Sequence, residues 1–304
     1  MESPLALGIA LLLAPVLPGV ILKVKALFAG KTGPPLLIRW YTLIKLLRKG
    51  SVYSDSTGFV FRLGPVVGCA TALLALLFFP FAGLPPLLSF TGDIIVVLYA
   101  LGLGRFCTVL AALDTASPFE GMGAAREVFF ASLAEIGLFV VLILFHRMGG
   151  GLSLAGWFAG PQAISLAGTQ GALLLLVIVA LFLLLLAENS RVPVDDPATH
   201  LELTMIHEVM ILDHSGPDLA LIEFGAHCRL LFSACLVASL LRPTLAAGPL
   251  ANGLVFVGLL VLVYAAVGVT ESITARLRMN LVPKFILTSF ALVFFAIILT
   301  MELV

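Results

Sequence analysis

Charge is scarce in this 304-residue chain: Asp, Glu, Lys and Arg together make up 11% of it, against 61% apolar residues. A soluble domain carries about 25% charged residues. There is too little polar surface here to cover a ball of this size in water, and the mean hydropathy of +1.17 says the same. The solvent is therefore the bilayer. Strand-like alternation is missing too, which leaves helices, because backbone groups in hydrocarbon must be satisfied within the chain. The net charge is zero, so no bulk field draws in nucleic acid. Cysteine is sparse, and Cys69, Cys107, Cys228 and Cys235 all lie in apolar runs without a CxxC pair. That speaks against an iron–sulfur or structural zinc site; Cys228 and Cys235, seven apart, read as small packing residues. No internal repeat stands out, which weakens an inverted-repeat transporter. The first apolar run, residues 4–22, lacks a basic leading region and an A-x-A site, and reads as a retained span.

What is present is a series of apolar runs long enough to cross a bilayer. They predict an all-α membrane domain over residues 1–304 with eight transmembrane helices, at 3–22, 62–81, 93–113, 127–147, 170–188, 220–241, 251–270 and 284–303. With the first connection inside, thirteen basic residues fall on that side, from Lys23 to Lys284, and only Arg147 and Arg242 outside. The bias makes that side cytoplasmic and turns both termini outward. Within the first connection, Leu36, Trp40, Leu43, Ile44 and Leu47 share one helical face, while Arg39, Lys45, Arg48 and Lys49 fill the rest. This predicts an interfacial amphipathic helix over 36–49, serving as a lipid anchor or as a platform for a cytoplasmic partner.

The few charges stand where hydrocarbon is expected. Glu135 lies in the fourth span with Glu127 two turns before it; Glu223, His227 and Arg229 lie in the sixth; Glu271 ends the seventh. Glu223 and His227, four apart, meet on one face. An ionisable side chain at mid-membrane costs about 2.5–3.5 kcal/mol on insertion scales, so each must be paired or placed to carry protons. Arg105 and Arg229 are the available partners. The fifth span, "LLLLVIVALFLLLLAE", ends on Glu188 and runs into "NSRVPVDDPATHLELTMIHEVMILDHSG", a cytoplasmic loop over 189–219. There Asp195 or Asp196 can cap a helix with Pro197 in its first turn, running to about Leu212. His200, His207 and His214 recur every seven residues, about 10.5 Å of helix, too far apart to share one metal ion. "HEVMI" lacks the second histidine of a zinc helix. The loop reads as a gate or docking surface rather than a metal site.

These segments also carry a resemblance. "ENSRVPVD" (Glu188 to Asp195) is similar to the Glu-x-x-Arg-x-Pro-x-Asp signature of the complex I subunit 1 family. "LDTASPFEGMGAAREVFF" and "TESITARLRMNLVPK" resemble its group 4 [NiFe] hydrogenase branch, that of the formate hydrogenlyase and hydrogenase-4 membrane subunits. The resemblance covers nearly the whole chain. It implies an eight-span subunit of the inner (cytoplasmic) membrane, without a redox centre of its own. Hydrogenase-type large and small subunits carrying [NiFe] and iron–sulfur centres would lie beneath it, and antiporter-like membrane subunits beside it. By position Glu135 matches the buried carboxylate of the fourth span, Glu188 opens the signature, and Glu202 is the last acid of the Glu-x-Glu-Leu pattern. Asp213, Ser215 and Gly216 stand where complex I relatives have Glu-Tyr-Ser-Gly. Ala198 and His200 replace two loop glutamates, and Asp213 follows after a longer spacing; both departures favour the hydrogenase branch over quinone chemistry.

The resulting expectation is a coupling subunit whose relay runs through Glu135, Glu188, Glu202, Glu223, Asp213 and Glu271. Arg126, Arg191, Asp195, His227 and Arg229 act as supporting charges. A quinone-site subunit, a stand-alone ion transporter and a passive anchor with merely paired carboxylates are the alternatives.

Overall fold

The computed structural model describes residues 2–159, 164, 171–196, 205–243 and 248–302. Helices and short turns make up the described residues, with no strand among them. Among the described residues, seven helical segments are long and apolar enough to cross a membrane. The first, Ser3–Phe28, consists of α1 (Glu2–Leu13) and α2 (Pro18–Phe28). They meet at a break where Pro15 and Pro18 each lack the amide donor a continuous helix needs. The others are α4 (Phe59–Leu77) with the 3-10 turn that follows it, α5 (Asp93–Asp114), α6 (Pro118–Gly149), α10 (Gly216–Leu241), α11 (Pro249–Ile273) and α12 (Val282–Glu302) with the turn before it. An eighth apolar helix, α8 (Gly171–Glu188), is shorter.

Three short helices sit between these: α3 (Ile38–Leu47), α7 (Leu154–Phe158) and α9 (His207–Met210). α3 falls inside the stretch expected to be helical. Ile44 and Leu47 are exposed, as a lipid-facing side would be, and Leu43 is buried; Arg39, expected on the water-facing side, turns toward Glu223.

Three boundaries also differ. The first segment runs six residues past its expected end, to Phe28, and takes Lys23 and Lys25 into α2. α6 starts nine residues before the expected span because Ser117 is extended and Pro118 suits the first helical turn. At 1.5 Å per residue its 32 residues measure about 48 Å, more than the ~30 Å of hydrocarbon. α10 starts at Gly216, so the last four residues assigned to the loop belong to a helix.

Small residues let the central helices approach closely, as packing in lipid requires. A Cβ on Gly64 of α4 would stand 2.7 Å from the Ala111 methyl and 3.1 Å from the Cys107 carbonyl oxygen of α5. Gly104 of α5 lies against the Thr71 hydroxyl in the same way. α10 lies on the other face of α4, where a Cβ on Gly225 would be 3.2 Å from the Cα of Cys69. Cys69, Cys228 and Cys235 are buried free thiols, as packing residues should be.

One end of the bundle is closed by aromatic rings. Phe79 packs against Phe81, Phe158 and Phe232, and Phe145 against Trp157, at centroid distances of 5.4–6.1 Å. Asp93, fully buried at the head of α5, accepts hydrogen bonds from the Ser153 hydroxyl and the Leu154 amide, both at 2.9 Å, and ties α7 to this end. The opposite end holds the carboxylates.

Gly64→Leu should lower the unfolding temperature of the detergent-purified chain, by the ~1–3 kcal/mol typical of overpacking. Gly258→Leu, on α11 with nothing within 4 Å of the added Cβ, should leave it unchanged.

Candidate functional site

Arg105, near the middle of α5, holds three carboxylates from two other helices. Its Nη1 lies 3.3 Å from Glu135 Oε1, its Nε 3.5 Å from Glu127 Oε1, and its Nη2 donates to Glu188 Oε2. Glu127 and Glu135 are eight residues apart on α6, so their side chains leave the same face, two turns apart. Glu188 closes α8. A guanidinium can do this because its five donors leave one plane in several directions. Three of the group are nearly enclosed. Glu135 is not: 46% of its side chain is accessible.

Two spaces meet at this cluster. A polar cavity of about 250 Å³ is lined by Glu127 and Glu188, by Arg191 and Asp195 of the segment after α8, by His207 and Glu208 of α9, by Glu223, His227 and Arg229 of α10, and by Arg39 of α3. A lateral cleft of about 550 Å³ runs between α5 and α6, with Tyr99, Phe106 and Phe139 on its walls and Arg105, Glu135 and Glu188 at its floor. Glu188 borders both. The Arg105–Glu188 pair is thus part of the partition between a polar cavity inside the bundle and a cleft open at its flank.

Inside the cavity Glu223 lies 3.7 Å from His227 Nε2, on the shared face expected from their spacing, and 3.8 Å from Arg39 Nη1. Arg229 lines the cavity and makes no ion pair among the described residues. Asp195 is buried and acts as an organiser. It accepts from Arg276 at 2.6 Å, from its neighbour's amide at 2.9 Å, and from the Ile206 and His207 amides at 3.1 Å each. It therefore caps a helix, but across space at Ile206–His207, satisfying donors that α9 leaves free at its start. Arg126 of α6 donates to the Met205 carbonyl at 3.0 Å. Val209 and Met210 press on Gly123 of α6, where no side chain would fit. These ties place His207 and Glu208 in the cavity wall.

Burial, followed by the nearby Glu223 and Asp195 carboxylates, raises Glu208 to about 7 against the pull of Arg39 and Arg191. Burial and the Arg229 charge lower His207 to about 4, Asp195 opposing. At neutral pH the histidine is uncharged and the glutamate is poised to titrate.

Not every expected residue arrives here. Glu135, Glu188, Glu223, Asp195, Arg191, His227 and Arg229 do. Glu271 does not: its side chain is 1% accessible and tied to Lys25 at 3.0 Å and Arg191 at 3.5 Å, a clamp between α2, α11 and the segment after α8. Asp213 is exposed and contributes its backbone amide to Glu120 at 3.2 Å. Arg126 acts through the Met205 carbonyl. Glu202, Pro197 and His200 lie outside the described residues, as do residues 197–204 of the helix expected between Asp195 and Leu212; of its described residues 205–212, only His207–Met210 (α9) are helical. His214 stacks on Phe61 with centroids 3.9 Å apart, and burial lowers it to about 4. No cluster of three metal-binding side chains occurs among the described residues. Glu127, Glu208, His207 and Arg39 were not among the expected site residues. The two-turn spacing to Glu135 could have included Glu127, whereas Glu208 reaches the cavity only through the fold of the loop.

Residues 2–302 match the family model described as NADH dehydrogenase. The chain belongs to that family. It is 28% identical to formate hydrogenlyase subunit 4 of Escherichia coli K12 over 94% of this chain and 93% of that one. It is 27% identical to hydrogenase-4 component C of the same organism, over 90% and 87%. Among solved structures, the membrane-bound sulfane sulfur reductase, described as an archaeal respiratory membrane complex, contains a chain of the same fold. The TM-score is 0.82, with 20% identity and coverage of 98% and 97%. This chain is thus a multi-pass membrane member of the NADH dehydrogenase family with hydrogenase and formate hydrogenlyase relatives.

Two outcomes test the site. Arg105→Ala leaves three carboxylates without their cation and should sharply reduce recovery of folded protein, the usual cost of stranding one half of a buried pair being about 3–5 kcal/mol. Adding Glu188→Gln should restore part of it. Acid should also loosen the loop. Groups lowered to about 4 in the fold stabilise it above their ordinary 6.5 and lose that contribution as pH falls toward 4. Glu208 acts oppositely between 4.5 and about 7, one group against two. Hydrogen exchange across residues 205–216, corrected for intrinsic rate, should be faster at pH 5 than at pH 7.5. His214→Phe, which keeps the stack, should reduce the difference.

Proposed function

We propose that this chain is the membrane-anchoring and coupling subunit of an energy-converting hydrogenase complex of the formate hydrogenlyase type. It links a cytoplasmic redox arm to translocation of protons, or sodium ions, through its intramembrane carboxylates. The observation that carries the reading is the partition: Glu188, held by Arg105, faces both the polar cavity and the flank cleft where Glu135 is half exposed. A half-exposed carboxylate in an apolar span has a use if a neighbouring subunit covers it. Family membership and near full-length similarity to two hydrogenase-related subunits support the same reading.

In this reading α8 is the eighth span and α3 lies in the interface. The subunit sits in the cytoplasmic membrane with the loop side inward and the termini outward. Antiporter-like membrane subunits flank it, and hydrogenase-type large and small subunits beneath it carry the [NiFe] and iron–sulfur centres. Glu202 joins the loop acids. The charged lining of the cavity suits water and protons rather than a quinone ring, since sites for such ligands are predominantly apolar.

The test is Glu135→Gln in the intact complex. Ion-coupled turnover should fall by about tenfold or more, the least expected from losing a proton-transfer group, while hydrogen chemistry with artificial dyes continues. Equal loss of both activities, or of neither, would overturn the proposal.

A further inference from the structure

Glu208 is the cavity acid that the ion pairs leave over. Asp195 is taken by Arg276, Glu223 by Arg39, and Glu127 and Glu188 by Arg105. Glu208 lines the same cavity and forms no ion pair or side-chain hydrogen bond among the described residues. Yet it is held in place. It is the second residue of α9, whose leading amides are fixed by Asp195 and whose next two side chains, Val209 and Met210, are buried. A carboxylate on an ordinary connector would turn to bulk solvent. This one is turned into an enclosure with room for several waters.

The surroundings come from every element that forms the enclosure. Glu223, His227 and Arg229 face it from α10, and Arg39 from α3. Glu127 and Glu188 face it from α6 and α8, Arg191 and Asp195 from the connecting segment, and His207 from α9 itself. Arg39 and Arg191 favour the charged form; burial, Glu223 and Asp195 disfavour it. The two tendencies balance close to neutrality, where a group that must both take and give a proton is most useful.

We propose that Glu208 is the port of the cavity, taking a proton from water on the loop side and passing it to Glu223. The exchange is a plain transfer. A water-borne proton forms an O–H bond on the Glu208 carboxylate; that bond breaks as one forms on Glu223, directly or through an intervening water, and Glu208 is left as carboxylate for the next cycle. No electrons move in this step. The Arg39 guanidinium beside Glu223 restores charge balance when the proton leaves it. The inference rests on the coupling function proposed above and names the group at which that function begins on the loop side.

The experiment uses the intact complex in liposomes, with ion-coupled and dye-linked activity measured between pH 5.5 and 8.5. In the wild type, coupled turnover should show an inflection near pH 7. Glu208→Gln should lower coupled turnover by about tenfold or more and remove that inflection while dye-linked chemistry proceeds. Glu208→Asp should retain coupling with the inflection displaced. A Glu208→Gln complex whose coupled rate and pH profile match the wild type overturns the proposal. So does a Glu208→Asp complex with an undisplaced inflection, the decisive comparison if the glutamine variant fails to assemble. Should Glu135→Gln uncouple the complex while Glu208→Gln does not, Glu208 is excluded and the coupling function stands. Should neither uncouple it, both fall.

Discussion

The arrangement depends on one guanidinium. Arg105 is placed at mid-helix in α5, and three carboxylates from α6 and α8 converge on it. In hydrocarbon such a group cannot stand alone, and its partners cannot either. The requirement that they meet therefore constrains how α5, α6 and α8 sit together. The glycines at the α4–α5 and α10–α4 contacts then determine how closely the rest of the bundle follows. Because the partners outnumber the cation by three to one, the cluster does not close into a neutral, inert pair. It lies between the polar cavity and the flank cleft.

Most of the architecture could be read from the residues. Apolar runs longer than a bilayer is thick allow little besides helix, and seven of the eight expected spans appear as helices of sufficient length. The boundaries that moved did so for local reasons: Pro118 opens α6 early, and Gly216 with Pro217 opens α10 early. The i,i+4 contact of Glu223 with His227 follows from helix geometry alone, and so did the choice of Arg105 as a partner for buried glutamates. What could not be read depends on how the loop folds back. Nothing local distinguishes Glu208, which enters the cavity, from Asp213, which remains exposed; both stand in a mixed polar and apolar stretch. Arg39 misled for a related reason. On a helical wheel it belongs with Lys45 and Arg48, but α3 packs against α10, and that contact delivers Arg39 to Glu223. Glu271 stands on the same sequence grounds as Glu135, and its ion pairs with Lys25 and Arg191 could not be read from the sequence.

The distinction between clamp and relay is one of surroundings rather than residue type. Glu271 has two cations and almost no accessible surface. Glu135 shares one cation with two other acids and opens onto a cleft. Desolvated one-to-one pairs hold a structure together and resist changes of charge, because losing either partner strands the other. Shared, partly hydrated groups tolerate such changes. Asp195–Arg276 fits that description of a structural pair, and Glu271 is enclosed between two cations, whereas Glu135, Glu188, Glu208 and Glu223 are the acids on which the proposed coupling would act.

The scaffold pairs also explain how distant parts could act on that set. The segment after α8 is fastened to the chain between α11 and α12 at two points, Asp195 to Arg276 at 2.6 Å and the Leu277 amide to the Pro193 carbonyl at 2.9 Å. The same segment reaches α11 and α2 through Arg191, Glu271 and Lys25. On the other side of the loop, Ser215 exchanges hydrogen bonds with the Val52 backbone and Asp218 accepts from the Tyr53 hydroxyl at 2.7 Å. The connectors named here are thus bound to one another, and Asp195 in addition fixes α9 and, with it, Glu208. In the proposed complex, a docked subunit that displaced the segment after α8 would act on the cavity wall through Asp195. Breaking the Asp195–Arg276 pair would cost several kcal/mol, so the two connectors should move together, carrying the cavity wall that Asp195 fixes.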